Sequence, residues 1–136
     1  MFDLLQSKTE RGHLKTLLDL ANADGFLHLS EYELLIVTAR KYGLSSNFVH
    51  KLRGTSRDYH FKLPKKRAER FHYWFDLISM VLADNIVHEK ELSFCEEMAI
   101  KFNYPIEIIE LTIEKVREGL HYEEVFQSFS AQKIIP

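Results

Sequence analysis

Hydrophobic and polar positions along this chain follow the helical period almost everywhere. Leu14, Leu17, Leu18 and Ala21 recur at three- and four-residue spacing, which marks one buried helix face. Gly25 tolerates positive φ and suits the end of that helix. A second helix is predicted from about Leu29 to Tyr42, burying Tyr32, Leu35, Thr38 or Ala39, and Tyr42, with Gly43 as its stop. A short third helix, about Ser45 to Leu52, opens on Ser45 as its cap. Further on, Phe71, Trp74, Leu77, Ile78 and Val81 share one helix face, and Leu92, Cys95, Met98 or Ala99, and Phe102 share the next. Pro105 is expected in the first turn of a helix running to about Glu118, where Gly119 ends it. The segment from Tyr122 to Phe129 predicts a last short helix, and Ala131 to Pro136 is expected to fray. No segment alternates apolar and polar residues with the strand period, so the expected class is an all-α bundle of about seven helices.

The pattern also repeats. LLDLANADGFLHLSEYELLIVTARKYGLS, from Leu17, aligns without a gap on LISMVLADNIVHEKELSFCEEMAIKFNYP, from Leu77, at an offset of sixty residues. Ala23 meets Ala83, Asp24 meets Asp84, His28 meets His88, Glu31 meets Glu91 and Lys41 meets Lys101. The reading is one domain over residues 1–136, made of two pseudo-twofold helical-hairpin repeats: about 14–53, a basic linker 54–64, about 65–119, and a C-terminal tail helix in 120–136. Half the chain alone would bury too little surface, so the halves are expected to pair in one core.

Composition narrows the classes. The chain has 136 residues, 46% of them apolar and 28% charged, inside the globular range. A net charge of −2 argues against a dedicated nucleic-acid binder. No run approaches the roughly 18 apolar residues of a membrane span, and the first residues lack a secretory pattern, so no membrane insertion and a cytoplasmic location are expected. Cys95 stands alone and fits a reducing compartment. From Lys51 to Arg70 runs a basic stretch with Tyr59, His60 and Phe61 interleaved. It could grip a phosphate backbone, dock an acidic protein surface, or sit on the acidic half of a second copy in a homodimer.

Candidate chemistry concentrates in the repeated loops. Set against a calcium-binding loop with Asp24 as fifth position, Gly25, His28 and Glu31 fall on sixth, ninth and twelfth, but Leu20 and Met80 then occupy the first ligand position, which excludes ordinary calcium sensing. Two readings remain. His28 with Glu31, and His88 with Glu91, have capping-box spacing at a helix start, and Asp24 and Asp84 can hold their loops by accepting backbone donors. Alternatively Asp24, His28 and Glu31 come near Asp84, His88 and Glu91 across the pseudo-twofold axis, as ligands for a divalent transition metal at either loop. No catalytic residue is expected: no nucleophile stands beside a base, Cys95 falls on a buried face, and no glycine loop cradles phosphate.

The doubled Ala-Asp-(Gly/Asn)-x-x-x-x-x-Glu signature, Asp24 to Glu31 and Asp84 to Glu91 followed by an apolar helix, resembles the TerB-like family associated with tellurite resistance. It also resembles the related domain of some membrane-anchored DnaJ-type co-chaperones. The resemblance covers about Leu14 to Gly119. It implies an all-helical domain with pseudo-twofold repeats, and acidic loop residues acting as metal ligands, here Asp24, Glu31, Asp84 and Glu91. Asn85 stands in place of the second glycine, and histidines stand where the family often has a small polar residue. No J-domain motif accompanies the signature, so the co-chaperone role does not carry over, and the family implies no established reaction. The expected function is a non-enzymatic binding module of a stress-response or tellurite-resistance system, with a protein partner and a divalent metal at the loops. A metal-dependent enzyme and a nucleic-acid accessory protein using residues 51–70 are the alternatives.

Overall fold

The computed structural model describes residues 4–23, 25, 27–55 and 60–136. Among the described residues there are seven helices and no strand: α1 (Leu4–Ala21), α2 (Leu29–Lys41), α3 (Ser46–Thr55), α4 (Arg67–Val81), α5 (Glu89–Phe102), α6 (Ile108–Arg117) and α7 (Tyr122–Ala131). The chain is an all-α bundle, as the helical period requires.

Helix α4 is the centre, packed by α1, α2, α5, α6 and α7. Its apolar stripe supplies Phe71, Trp74, Leu77, Ile78 and Val81, all buried. Leu17, Leu35, Cys95 and Phe102 join them in one core. Trp74 stacks edge-on against Phe102 and Tyr104, and its indole N–H donates to Thr112 Oγ1 at 2.9 Å. The Thr112 hydroxyl in turn donates to the Ile108 carbonyl, so neither buried polar group is orphaned. Burial pushes the Cys95 thiol up to about 12, with the charges of Glu91 and Glu96 adding to it, so this side chain is a small core residue.

Helix ends follow backbone chemistry. Gly25 and Asn85, sixty residues apart, both take positive φ (92° and 63°), and so do Gly43 and Asn103 (76° and 60°). Asparagine is the residue other than glycine that enters this region at least cost, which accounts for the Asn at each second position. The Ser45 hydroxyl accepts from the Phe48 N–H at 3.2 Å and caps α3.

Three boundaries differ from the sequence expectation. Helix α3 runs through Gly54 to Thr55, into the expected linker, because a glycine near a helix end costs only about 1 kcal/mol. Residues 60–64 pack on the bundle: Pro64 is buried, Phe61 lies against Phe102 at a ring distance of 5.3 Å, and the middle of α1 approaches so closely that a Cβ on Gly12 would stand 2.0 Å from the His60 carbonyl oxygen. The end of the chain does not fray either. Ile135 is buried, the Ile134 N–H bonds the Phe129 carbonyl, and Arg67 Nε donates to the Pro136 carbonyl at 2.9 Å. Pro105 stands before α6, its carbonyl accepting the Ile108 N–H, so it shapes the entering turn.

Candidate metal centre

The loop α1–α2 and the loop α4–α5 meet at the starts of α2 and α5. His28 and His88 are the N-cap residues of these helices. At each start the glutamate three residues on takes the cap N–H: Glu31 Oε1 accepts the His28 N–H at 3.1 Å, and Glu91 Oε1 accepts the His88 N–H at 3.3 Å. This is the glutamate half of a capping box, and it satisfies a donor that the helix cannot.

Both glutamates are buried, each only 1% exposed, and their carboxyl groups face and hydrogen-bond one another. Burial pushes Glu91 up to about 7, and the neighbouring charge of Glu31 adds to it. Burial raises Glu31 as well, against the His28 N–H bond and the bond from Glu91, which favour its charged form. Two carboxyls this close cannot both ionise cheaply, so the pair shares one proton.

In front of this pair, the His28 and His88 rings lie parallel, 5.9 Å between centroids and 2° between planes. Asp84 completes a group of three: one ligand atom from each of His28, Asp84 and His88 lies within 4.8 Å of the other two, all partly buried. Asp84 Oδ1 accepts the Ile86 N–H at 3.0 Å, which pins the carboxylate in its turn, and Oδ2 lies 3.2 Å from His88 Nε2. Burial works against the Asp84 charge, but these bonds and the nearby imidazoles outweigh it and hold the carboxyl below its ordinary value.

Of the six residues singled out in the sequence, the structure thus brings five together. His28, Asp84 and His88 present ligand atoms to one point, while Glu31 and Glu91 are turned inward to caps and to each other. Asp24 lies outside the described residues. The donor set of two imidazoles and a carboxylate suits a divalent transition ion of the zinc type better than calcium, which prefers oxygen alone. Tetrahedral zinc with bonds near 2.0–2.1 Å wants its donors about 3.4 Å apart, a spacing that Asp84 Oδ2 and His88 Nε2, at 3.2 Å, already meet.

A buried polar group at the other end of these helices has no counterpart in the sequence reading. Asp76 on α4 accepts from His13 Nε2 on α1 and from the Tyr42 hydroxyl, both at 2.8 Å. His13 lies flat on Tyr73 with ring centres 3.8 Å apart. The signal available was position: Asp76 falls three residues after Tyr73 and four before Met80, inside the apolar stripe of α4, where a polar residue needs a buried partner. The basic stretch is partly spent on internal contacts. Arg70 Nη2 donates to the Lys65 carbonyl, and Arg67 lies over the Phe126 ring, while Lys51, Lys62, Lys65 and Lys66 are exposed. No helix among the described residues is long and apolar enough to cross a membrane.

Comparison of the chain with protein-family models, with curated proteins and with solved structures finds no match.

Proposed function

We propose that this chain is a non-enzymatic helical binding module in which one divalent transition-metal ion, held by His28, Asp84 and His88, ties the two loop-bearing halves together. The observation that carries the reading is the convergence of imidazoles from two loops sixty residues apart, with the Asp84 carboxylate, on one point. Capping accounts for the glutamates but not for this. Serine or aspartate caps a helix better than histidine, and nothing in a cap requires two imidazoles to face each other. The resemblance to the TerB-like family supports the same reading and adds a setting, an accessory role in stress or tellurite resistance exercised through protein contacts. The ion's role here is to fix the relative position of α2 and α5, so that exposed side chains beside the loops, Leu29 and Ile86 among them, present one surface to a partner.

The chain supplies its own control. His121 begins α7 with the same His-x-x-Glu spacing: Glu124 Oε1 accepts the His121 N–H at 3.3 Å, and His121 Nδ1 accepts from the Glu123 N–H. It belongs to the cap but not to the cluster. Titration calorimetry with zinc, manganese and calcium on extensively dialysed protein is expected to give saturable heat for zinc, lost in His28→Ala and in Asp84→Asn and kept in His121→Ala. At one hundred times Kd the ion should stabilise the fold by about 2.7 kcal/mol. Binding should weaken at acid pH because the metal must displace protons from imidazole. Absence of saturable heat in the parent protein, or equal binding by His28→Ala, would refute the metal reading and leave the capping account.

A further inference from the structure

We infer that the chain carries a second ligand site, sharing no residue with the loop pair: the cleft between α2, α4 and the start of α7 takes a small zwitterion of the amino-acid type, its ammonium on Asp76 and its carboxylate on Lys41. The cleft encloses about 580 Å³, a volume usual for small-molecule sites.

Asp76 forms its floor. The side chain is 7% exposed, and its Oδ2 is fully engaged by His13 and Tyr42, which fix the carboxylate plane. The other oxygen faces the cleft residues. Its ion-pair partners there, Lys41 Nζ at 3.9 Å and His72 Nε2 at 3.8 Å, stand beyond hydrogen-bonding distance. Burial works against the charge, yet the His13 bond and the surrounding His72 and Lys41 hold the carboxyl below its ordinary value, so the group is an anion whose second oxygen opens on the cleft. A ligand ammonium would give that oxygen a charge-assisted bond at about 2.7–2.9 Å.

Lys41 selects the second charge. Its side chain is half exposed and only loosely paired. An incoming ammonium displaces it from Asp76 without burying it, and the freed lysine then faces the carboxylate borne on the same carbon. A simple cation would be repelled by Lys41 and a simple anion by Asp76, whereas a molecule with both charges satisfies the two together. The remaining lining is mixed: Thr38, Ser79, His121 and Glu123 are polar, and Leu34, Phe75 and Leu120 form an apolar part beside a flat platform in which His72 stacks on Tyr122 at 3.7 Å. The apolar part suits a side chain of leucine size. His13 and Tyr42 act here as positioning residues, since both bind the oxygen that the ligand does not use.

L-Leucine is the probe, added to the full chain and followed by amide chemical shifts and calorimetry. Saturable binding should move the amides of Lys41, His72, Ser79 and Tyr122. N-acetyl-L-leucine, which lacks the ammonium, and L-leucinamide, which lacks the carboxylate, should each bind at least about ten-fold more weakly. Lys41→Ala should weaken L-leucine while strengthening leucinamide, whose lone positive charge the lysine no longer repels. Asp76→Asn should abolish binding, and because that buried change can also unfold the chain, the half-exposed Lys41→Ala keeps the test decisive. No saturation up to the solubility limit of L-leucine, equal affinity for N-acetyl-L-leucine or leucinamide, or shifts confined to other residues would overturn the proposal and leave the cleft to water.

Discussion

Replacing Gly12 by alanine sets a local rule against a tertiary contact. Gly12 lies in the middle of α1, an eighteen-residue helix, where alanine is favoured over glycine by about 1 kcal/mol. On propensity alone the variant should be more stable. The structure says otherwise: the new methyl would stand 2.0 Å from the His60 carbonyl oxygen and 3.0 Å from its carbon. These are backbone atoms, so no side-chain rotation relieves the overlap, and α1 and the segment at His60 must move apart. Overpacking of this kind typically costs about 1–3 kcal/mol. A 2.0 Å overlap with backbone belongs at the upper end of that range, and with the propensity gain of about 1 kcal/mol set against it the net loss is about 2 kcal/mol. Urea denaturation followed by the fluorescence of Trp74, the single tryptophan, gives the difference from the midpoint at unchanged slope. A variant as stable as the parent, or more stable, would refute the reasoning. Residues 60–64 would then be a loose linker over α1.

Other perturbations separate burial from hydrogen bonding and charge. Trp74→Ala should cost roughly 3–5 kcal/mol, whereas Trp74→Phe should cost only about 1–2, because the Thr112 hydroxyl keeps its bond to the Ile108 carbonyl; equal losses in urea denaturation would contradict this. The Cys95 thiol, pushed up to about 12 by burial, should react with a disulfide reagent only as fast as the chain unfolds, and rapid labelling of the native protein would place it on the surface. Glu91 holds its proton more tightly folded (about 7) than unfolded (ordinary value 4.5), so in metal-free buffer stability should fall as pH rises from about 4.5 through 7. The rise from 4.5 to about 7 limits that fall to at most about 3 kcal/mol, and Glu91→Gln, which can still donate to Glu31, should remove it; a parent profile identical to that of the variant would disprove the shared proton.

Most of the fold was legible because burial in helices is periodic. Leu17, Leu35, Leu77, Cys95 and Phe102 could be assigned to one core from spacing alone, and all are there. What the period does not carry is the identity of partners across the chain. His13 and Asp76 lie sixty-three residues apart, and each sits in phase with an apolar stripe, so the stripe reads as continuous and the pair stays hidden. Gly12 is invisible for a related reason. A glycine inside a helix announces a weak helix, and only the approach of His60 shows why a side chain is excluded. The tail was misread because its six residues are too few to show a period, yet Ile135 finds the core and Arg67 ties down the last carbonyl.

The loop residues show the same division between local and long-range information. His-x-x-Glu occurs at three helix starts, α2, α5 and α7, and at each the glutamate accepts the cap N–H. The third instance stands outside the sixty-residue repeat, so the spacing by itself specifies a helix start and nothing more. A cluster needs two such starts to face each other, and that follows from how α4 and α5 pack with α1 and α2. Capping by the glutamates and ligation therefore use different atoms. The glutamates spend their oxygens on backbone N–H groups and on each other, while His28, Asp84 and His88 direct theirs to a common point. By fixing the two helix starts, the caps hold the imidazoles in place before any ion arrives, which lowers the ordering cost of binding.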